Sequence, residues 1–274
     1  MRKYSGKDAT VLADWLSHWL SGRGSLLFMT DYDGALTPHV PDPAEARLES
    51  GVRRHLSALV RVPNVRLAVI SGRDLGDVAQ RVAVPGAVYA GCHGFVIDGP
   101  GIAFSHPEAL AQQPTVRALG EALARRASRI PGMRVETKRL GLTVHYRQMS
   151  DAGRQTFEIE LARAINQGQS GRFKLFHGTR AVEILPQVGW SKGHCALRIR
   201  DWALDALPRP MLSVYVGDDW TDELAFEKLG GQAITVRVGP PETASRATYR
   251  LDGVEDVHRL IERLAEAAGQ RGAA

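Results

Sequence analysis

The sequence predicts an α/β fold in which a parallel sheet wrapped by helices is interrupted by a smaller α+β insertion. Three observations predict it. Short, nearly continuous apolar runs, "SLLFMT" (25–30), "VRLAVI" (65–70) and "MLSVYV" (211–216), have the pattern of strands covered on both faces. Helical segments lie between such runs, as crossovers between parallel strands require. From residue 105 to 187 the strands instead alternate apolar and polar positions, which suits a sheet with one face exposed. The expected division is therefore 1–104 and 188–274 for the core and 105–187 for the insertion.

Taken in order, Leu12, Trp15, Leu16, Trp19 and Leu20 recur at helical spacing and predict a helix packed on the body. The first strand follows. "PDPAEARLESGVRRHLSALVRV" (41–62) reads as a crossover helix with a proline-rich entry, leading to the second strand. The insertion reads as a helix over 107–127, strands "MRVETK" and "LTVHYRQ", a helix "AGRQTFEIELARAIN", and strands "RFKLFHG" and "AVEILP". After "MLSVYV" come a glycine-closed helix "TDELAFEKLGG", a strand "AITVRV" and a final amphipathic helix "VEDVHRLIERLAEA".

With 274 residues, 44% of them hydrophobic, the chain is long enough to bury a sizeable core. Its apolar runs fall far short of the roughly 20 residues that cross a bilayer. The N-terminal stretch lacks the apolar centre of a secretory signal. Cys92 and Cys195 stand far apart, which predicts unpaired thiols in a reducing cytoplasm. The net charge of +5 is scattered among 30 acids, so no nucleic-acid or membrane-surface partner is expected, although the mild field would draw in an anionic small molecule.

Four short motifs carry chemistry. In "TDYDGALTP" Asp31 and Asp33 directly follow a buried strand, where open parallel sheets bind ligands. A calcium loop would need an oxygen ligand at its fifth position and glycine at its sixth, and Ala35 and Leu36 stand there. In "VISGRD" the hydroxyl of Ser71 and the amide of Gly72 sit at a strand-to-helix junction, a cradle for an anion. Lys192 begins the helical run of "GWSKGHCALRI". "YVGDDWTDELAF" ends a strand in Asp218 and Asp219, with Asp222 three further on, and such crowded carboxylates call for a hard cation such as magnesium.

Together, in this order, the motifs resemble those of the haloacid dehalogenase superfamily of phosphotransferases. That resemblance implies a Rossmann-like core with a cap domain at the insertion. At finer grain "DYDGALTP", "VISGR", "YAGCHG", "VETKRLGLTVHYR", "AVEILP", "WSKGHCAL" and "GDDWTDELAF" resemble trehalose-6-phosphate phosphatases. The resemblance implies that Asp31 is the nucleophile, forming an aspartyl-phosphate, and Asp33 the general acid and base. It implies Mg2+ held by Asp31, the main-chain carbonyl of Asp33 and Asp218, with Asp219 and Asp222 behind them. Ser71, Gly72 and Lys192 would bind phosphate, and Glu136, Lys138, His145, Arg147 and Glu183 the sugar. Within their strands Glu136 and Lys138 are two apart, as are His145 and Arg147, so each pair is expected to share a face. A monomeric enzyme acting on a sugar phosphate is expected. Three positions depart from the family: Ala35 replaces threonine, Cys92 serine and Leu185 arginine. They leave open a related disaccharide or pseudo-disaccharide phosphate; a phosphomutase and a non-catalytic sugar-phosphate sensor are the rival readings.

Overall fold

A computed structural model describes residues 8–22, 24–166, 171–178, 181–208 and 210–269. The chain forms two compact units, Met1–Phe104 with Trp190–Ala274, and Ser105–Gly189.

The first unit is built on strands β1 (Ser25–Thr30), β2 (Val65–Ile70), β3 (Val88–Gly91), β4 (Val96–Gly99) and β5 (Ile102–Ser105). The later strands β10 (Met211–Gly217), β11 (Ile234–Val238) and β12 (Tyr249–Leu251) extend the same sheet, in the order β12-β11-β10-β1-β2-β3-β4-β5. β12 through β3 run parallel and β4 turns back antiparallel to β3. Helices α1 (Asp8–Ser21), α2 (Ser50–Val60) and α3 (Leu75–Val82) precede the insertion, and α7 (Lys192–Ala206), α8 (Trp220–Leu229) and α9 (Val254–Gly269) follow it.

The two-residue period of β1 explains its unbroken apolar run. Leu26 and Phe28 join the core that includes residues of α1, α2 and α9, while Leu27 and Met29 join the core with α7 and α8. All four are fully buried, each contributing about 1.5–3 kcal/mol. In α1, Leu12, Leu16 and Leu20 are buried and Trp15 is exposed. β1 feeds β2 on one side while its other neighbour is β10, so the order reverses between β1 and β10. Ligands of open sheets bind at that switch point.

Two elements are shorter than the periodicity predicts. The crossover helix spans only Ser50–Val60, because Pro43 opens a single 3₁₀ turn capped by the Asp42 side chain and the chain then runs extended. The helix at 107–127 divides into α4 (Pro107–Ala111) and α5 (Gln113–Ala127), since Pro114 lacks the N–H that would continue the first piece.

The second unit adds β6 (Arg134–Lys138), β7 (Gly141–His145), α6 (Asp151–Asn166), β8 (Phe173–Gly178) and β9 (Ala181–Pro186), its sheet antiparallel in the order β6-β7-β9-β8. Leu142, Val144, Val182 and Ile184 pack with Val116, Leu119 and Leu123 of α5 and Phe157 and Leu161 of α6. The other face carries Glu136, Thr143 and Glu183 in register, together with Phe176 and Leu185. Where the chain leaves and re-enters the first unit, the rings of Phe104 and Trp190 stack with centroids 5.0 Å apart. Trp190 Nε1 donates to Gly94 O at 3.0 Å, and Arg198 lies 4.1 Å over the Phe104 ring.

Candidate active site

Asp31 is the first residue beyond β1, its amide donating to Val216 O at 2.9 Å across the switch point. The chain then folds back on itself. Gly34, at φ 83°, donates to Thr37 O at 2.7 Å, and the Thr37 hydroxyl donates to Tyr32 O at 3.2 Å. The loop is thus tied by Thr37, and Ala35 is fully buried with no hydroxyl required of it. His258 of α9 bonds Leu36 O at 2.8 Å from outside.

The Asp31 carboxylate is buried; Oδ1 accepts from the Tyr32 amide at 2.6 Å and Oδ2 from Lys192 Nζ at 2.6 Å. Lys192, the first residue of α7, is itself 2% exposed and also donates to Asp222 Oδ1 at 2.8 Å. Asp222 takes a further bond from the Tyr215 hydroxyl, while its Oδ2 accepts the amides of Asp218 and Asp219. Asp219 caps α8, accepting from Thr221 and Asp222 in a reciprocal capping box. His39 Nε2 meets Asp218 Oδ2 at 2.8 Å.

Burial pushes Asp31 well above the usual carboxylate range; Lys192 opposes this, and the charges of Asp222, Asp219 and Asp218 add to it. Burial also pushes Asp222 up, to about 7, against the pull of Lys192. Burial alone would lower Lys192, but attraction to Asp222, Asp31 and Asp219 outweighs it and holds the ammonium above its ordinary value. One buried ammonium therefore faces three carboxylates, Asp31, Asp222 and Asp219, with Asp218 close behind them. Such a cluster is short of positive charge.

A hard divalent cation fits that deficit. Carboxylate oxygens of Asp31, Asp219 and Asp222 lie within 4.8 Å of one another. The Asp222 oxygens, however, are already committed to Lys192, Tyr215 and two amides. Asp218 Oδ1 is buried and has no hydrogen-bond partner among the described residues, which leaves it available to a hard cation.

Asp33, 30% exposed, is gripped by the Arg73 guanidinium, Nε to Oδ2 and Nη2 to Oδ1, both at 2.7 Å. Arg73 also reaches Pro43 O and Asp77 Oδ2. Burial would lower the guanidinium, but bonds to Asp33 and Asp77 outweigh it and hold it above its ordinary value. The "SGR" triplet contains this residue, but the sequence places only its two neighbours at the site; the bidentate grip on Asp33 emerges from the structure alone. Ser71 is buried directly after β2, its Oγ accepting from the Arg73 amide at 3.1 Å, and Gly72 beside it is partly exposed. Cys92 and His93, at the end of β3, both adopt positive φ, 50° and 56°. Two successive non-glycine residues in that region mark local strain next to the site; the His93 amide donates to Ser71 O at 2.9 Å.

In the second unit the register sets Glu136 opposite Thr143 and Thr143 opposite Glu183, so these positions share one sheet face. Lys138 Nζ lies 2.7 Å from Glu183 Oε1, and His145 Nε2 lies 3.0 Å from Glu136 Oε2. Arg147 departs from expectation: β7 ends at His145, and Arg147 is exposed in the following turn and shares no strand face with it. Leu185 is buried.

A family model described as trehalose-phosphatase matches residues 29–255. Proteins named trehalose-phosphate phosphatase from Mycobacterium tuberculosis (strain ATCC 25618 / H37Rv) and Mycobacterium marinum are 37% and 36% identical over 95% and 88% of this chain. The chain spans 66% and 60% of the length of these two relatives. Among solved structures, the C-terminal domain of C. albicans trehalose-6-phosphate phosphatase superposes with a TM-score of 0.74 at 24% identity, covering 93% of this chain and 96% of that one. A structure of Aspergillus fumigatus trehalose-6-phosphate phosphatase gives 0.61 at 26% identity, covering 93% and 97%. The first likeness supports the expected α/β fold, and the match over 29–255 extends across both units. The chain belongs to the trehalose-phosphatase family.

Proposed function

We propose that the chain hydrolyses trehalose 6-phosphate to trehalose and phosphate in a Mg2+-dependent reaction. The observation that carries this reading is the buried Asp31 at the switch point, 2.6 Å from Lys192, with Asp33 two residues on in the grip of Arg73. Family membership supports the sugar.

In the first step an Asp31 oxygen bonds to phosphorus as the bond to the sugar oxygen breaks, and Asp33 delivers a proton to that departing oxygen. In the second, a water oxygen bonds to phosphorus, Asp33 takes its proton, and the bond to Asp31 breaks. Lys192, the Ser71 hydroxyl and the Gly72 amide bind the phosphoryl oxygens, where charge gathers in the transition state. Arg73 grips both Asp33 oxygens, so one of these bonds opens for Asp33 to carry the proton while the other keeps the carboxyl oriented. Asp31, the main-chain carbonyl of Asp33 and Asp218 would hold magnesium, with Asp219 and Asp222 fixing the backbone behind them. When bound, the ion offsets the repulsion between a carboxylate and a phosphate dianion.

Glu136, Lys138, His145, Arg147 and Glu183 bind the sugar hydroxyls in this reading, and the two ion pairs on one sheet face support it. Lys138 supplies a cation beside Glu183, where Leu185 offers none. Among the described residues no helix is long and apolar enough to cross a membrane, and no disulfide joins Cys92 and Cys195. The test is phosphate release from trehalose 6-phosphate, sucrose 6-phosphate and glucose 6-phosphate, with and without magnesium. Trehalose 6-phosphate should give the highest kcat/KM, and chelation should abolish turnover. A higher value for either competitor overturns the sugar assignment, and phosphoryl transfer without phosphate release overturns hydrolysis.

A further inference from the structure

We propose that His39 is a positioning residue for the divalent cation, orienting Asp218 so that its carboxylate presents Oδ1 to the metal. This rests on the magnesium-dependent reading above. The two oxygens of Asp218 differ sharply. Oδ2 is engaged by His39 Nε2 at 2.8 Å, whereas Oδ1 is buried and without a hydrogen-bond partner among the described residues. A carboxylate that can rotate would relieve a buried, unpartnered oxygen, because leaving one unmade bond costs free energy. Two contacts prevent rotation here. His39 fixes one oxygen, and the carboxylate packs so closely over Gly34 that a Cβ at that position would collide with it.

Both constraints come from one loop. Gly34 and His39 belong to the segment that also carries Asp31 and Asp33, while Asp218 arrives from the end of β10 on the other side of the switch point. The loop that supplies the nucleophile therefore also aims a ligand from the neighbouring strand, and the cation is coupled to the reacting carboxylate through it. A hydrogen bond to a ligating carboxylate from an outer partner is a general means of fixing its geometry and basicity, and losing such a partner costs roughly 10–100-fold in metal affinity. His39 is 68% exposed, against 13% for Asp218, so its side chain is dispensable for the core and the effect should fall near the lower limit. The opposite arrangement, in which His39 competes with the cation for Asp218, predicts the opposite sign.

The test is calorimetric titration of magnesium into the full chain after chelation, comparing the unaltered protein with His39→Ala, His39→Phe and His39→Gln, and using Asp218→Asn as a reference for lost ligation. Expected is a dissociation constant raised about tenfold in His39→Ala and His39→Phe, with most of the affinity restored by the side-chain amide of His39→Gln. Thermal midpoints without metal should coincide, separating ligand orientation from stability. Equal or tighter binding by His39→Ala overturns the proposal while leaving the functional reading intact. Wild-type affinity in His39→Phe also overturns it, since the ring would then act by packing. No magnesium binding by the unaltered protein overturns both.

Discussion

Lys192 and Asp31 form a buried ion pair at 2.6 Å between the start of α7 and the end of β1. The same ammonium holds Asp222 at 2.8 Å, so its removal strands two buried carboxylates at once. Breaking a buried pair from one side typically costs about 3–5 kcal/mol. Lys192→Met should lower the unfolding free energy in urea by about that amount, moving the midpoint down, and abolish phosphate release. An unchanged midpoint would mean that these carboxylates do not depend on the lysine for their charge balance.

Asp31→Asn keeps side-chain volume and removes the nucleophile. Turnover of trehalose 6-phosphate should fall by about 10³-fold or more, as for other enzymes stripped of their attacking group. Undiminished turnover would exclude Asp31 from the proposed bond to phosphorus.

Arg73→Lys retains a cation but loses the fork that grips both oxygens of Asp33. Because Asp33 is assigned both proton transfers, kcat should fall by about 10²-fold, the scale of general acid–base catalysis, with KM little altered. A rise in KM at constant kcat would instead assign Arg73 to substrate binding.

Asp77 gives a pH-dependent contribution to stability. Burial would raise its carboxyl, but hydrogen bonds from Arg81 and Arg73 outweigh that and hold it below the ordinary value. Between the folded and unfolded values the unfolded chain binds more protons, so the contribution is complete above about pH 4 and drains away as pH falls through the folded value. The side chain is 38% exposed, which limits the effect to about 1 kcal/mol. Asp77→Asn should be less stable than the unaltered chain at neutral pH, and urea midpoints should converge on acidification. A constant gap from about pH 6 to about pH 3 would assign the difference to packing.

Elements buried on both faces were the most legible in the sequence. β1 and β2 coincide with their apolar runs because parallel strands inside an α/β sandwich have no polar side to blur their ends. β4, β5 and β12, only 4, 4 and 3 residues long, carry too few positions for a pattern. Proline explains both shortened helices, since the periodicity of the apolar residues runs on past a point where the backbone cannot. At the site, Asp31 and Asp218 were legible because each closes a recognisable strand. The burial of Lys192 was not, because its partner Asp31 lies 161 positions away. Nor was the grip of Arg73 on Asp33, 40 positions apart. Long-range ion pairs leave no periodic trace in one sequence.

The stacked rings of Phe104 and Trp190 bring the ends of an 85-residue excursion, Ser105–Gly189, to a single point on the core. A gap of that size needs only a few residues to bridge, at roughly 3.3–3.6 Å each. Excising the excursion and resealing the scaffold with a short glycine-containing joint should therefore leave the sheet's threading unchanged, with a cooperative thermal transition of the shortened chain as the check.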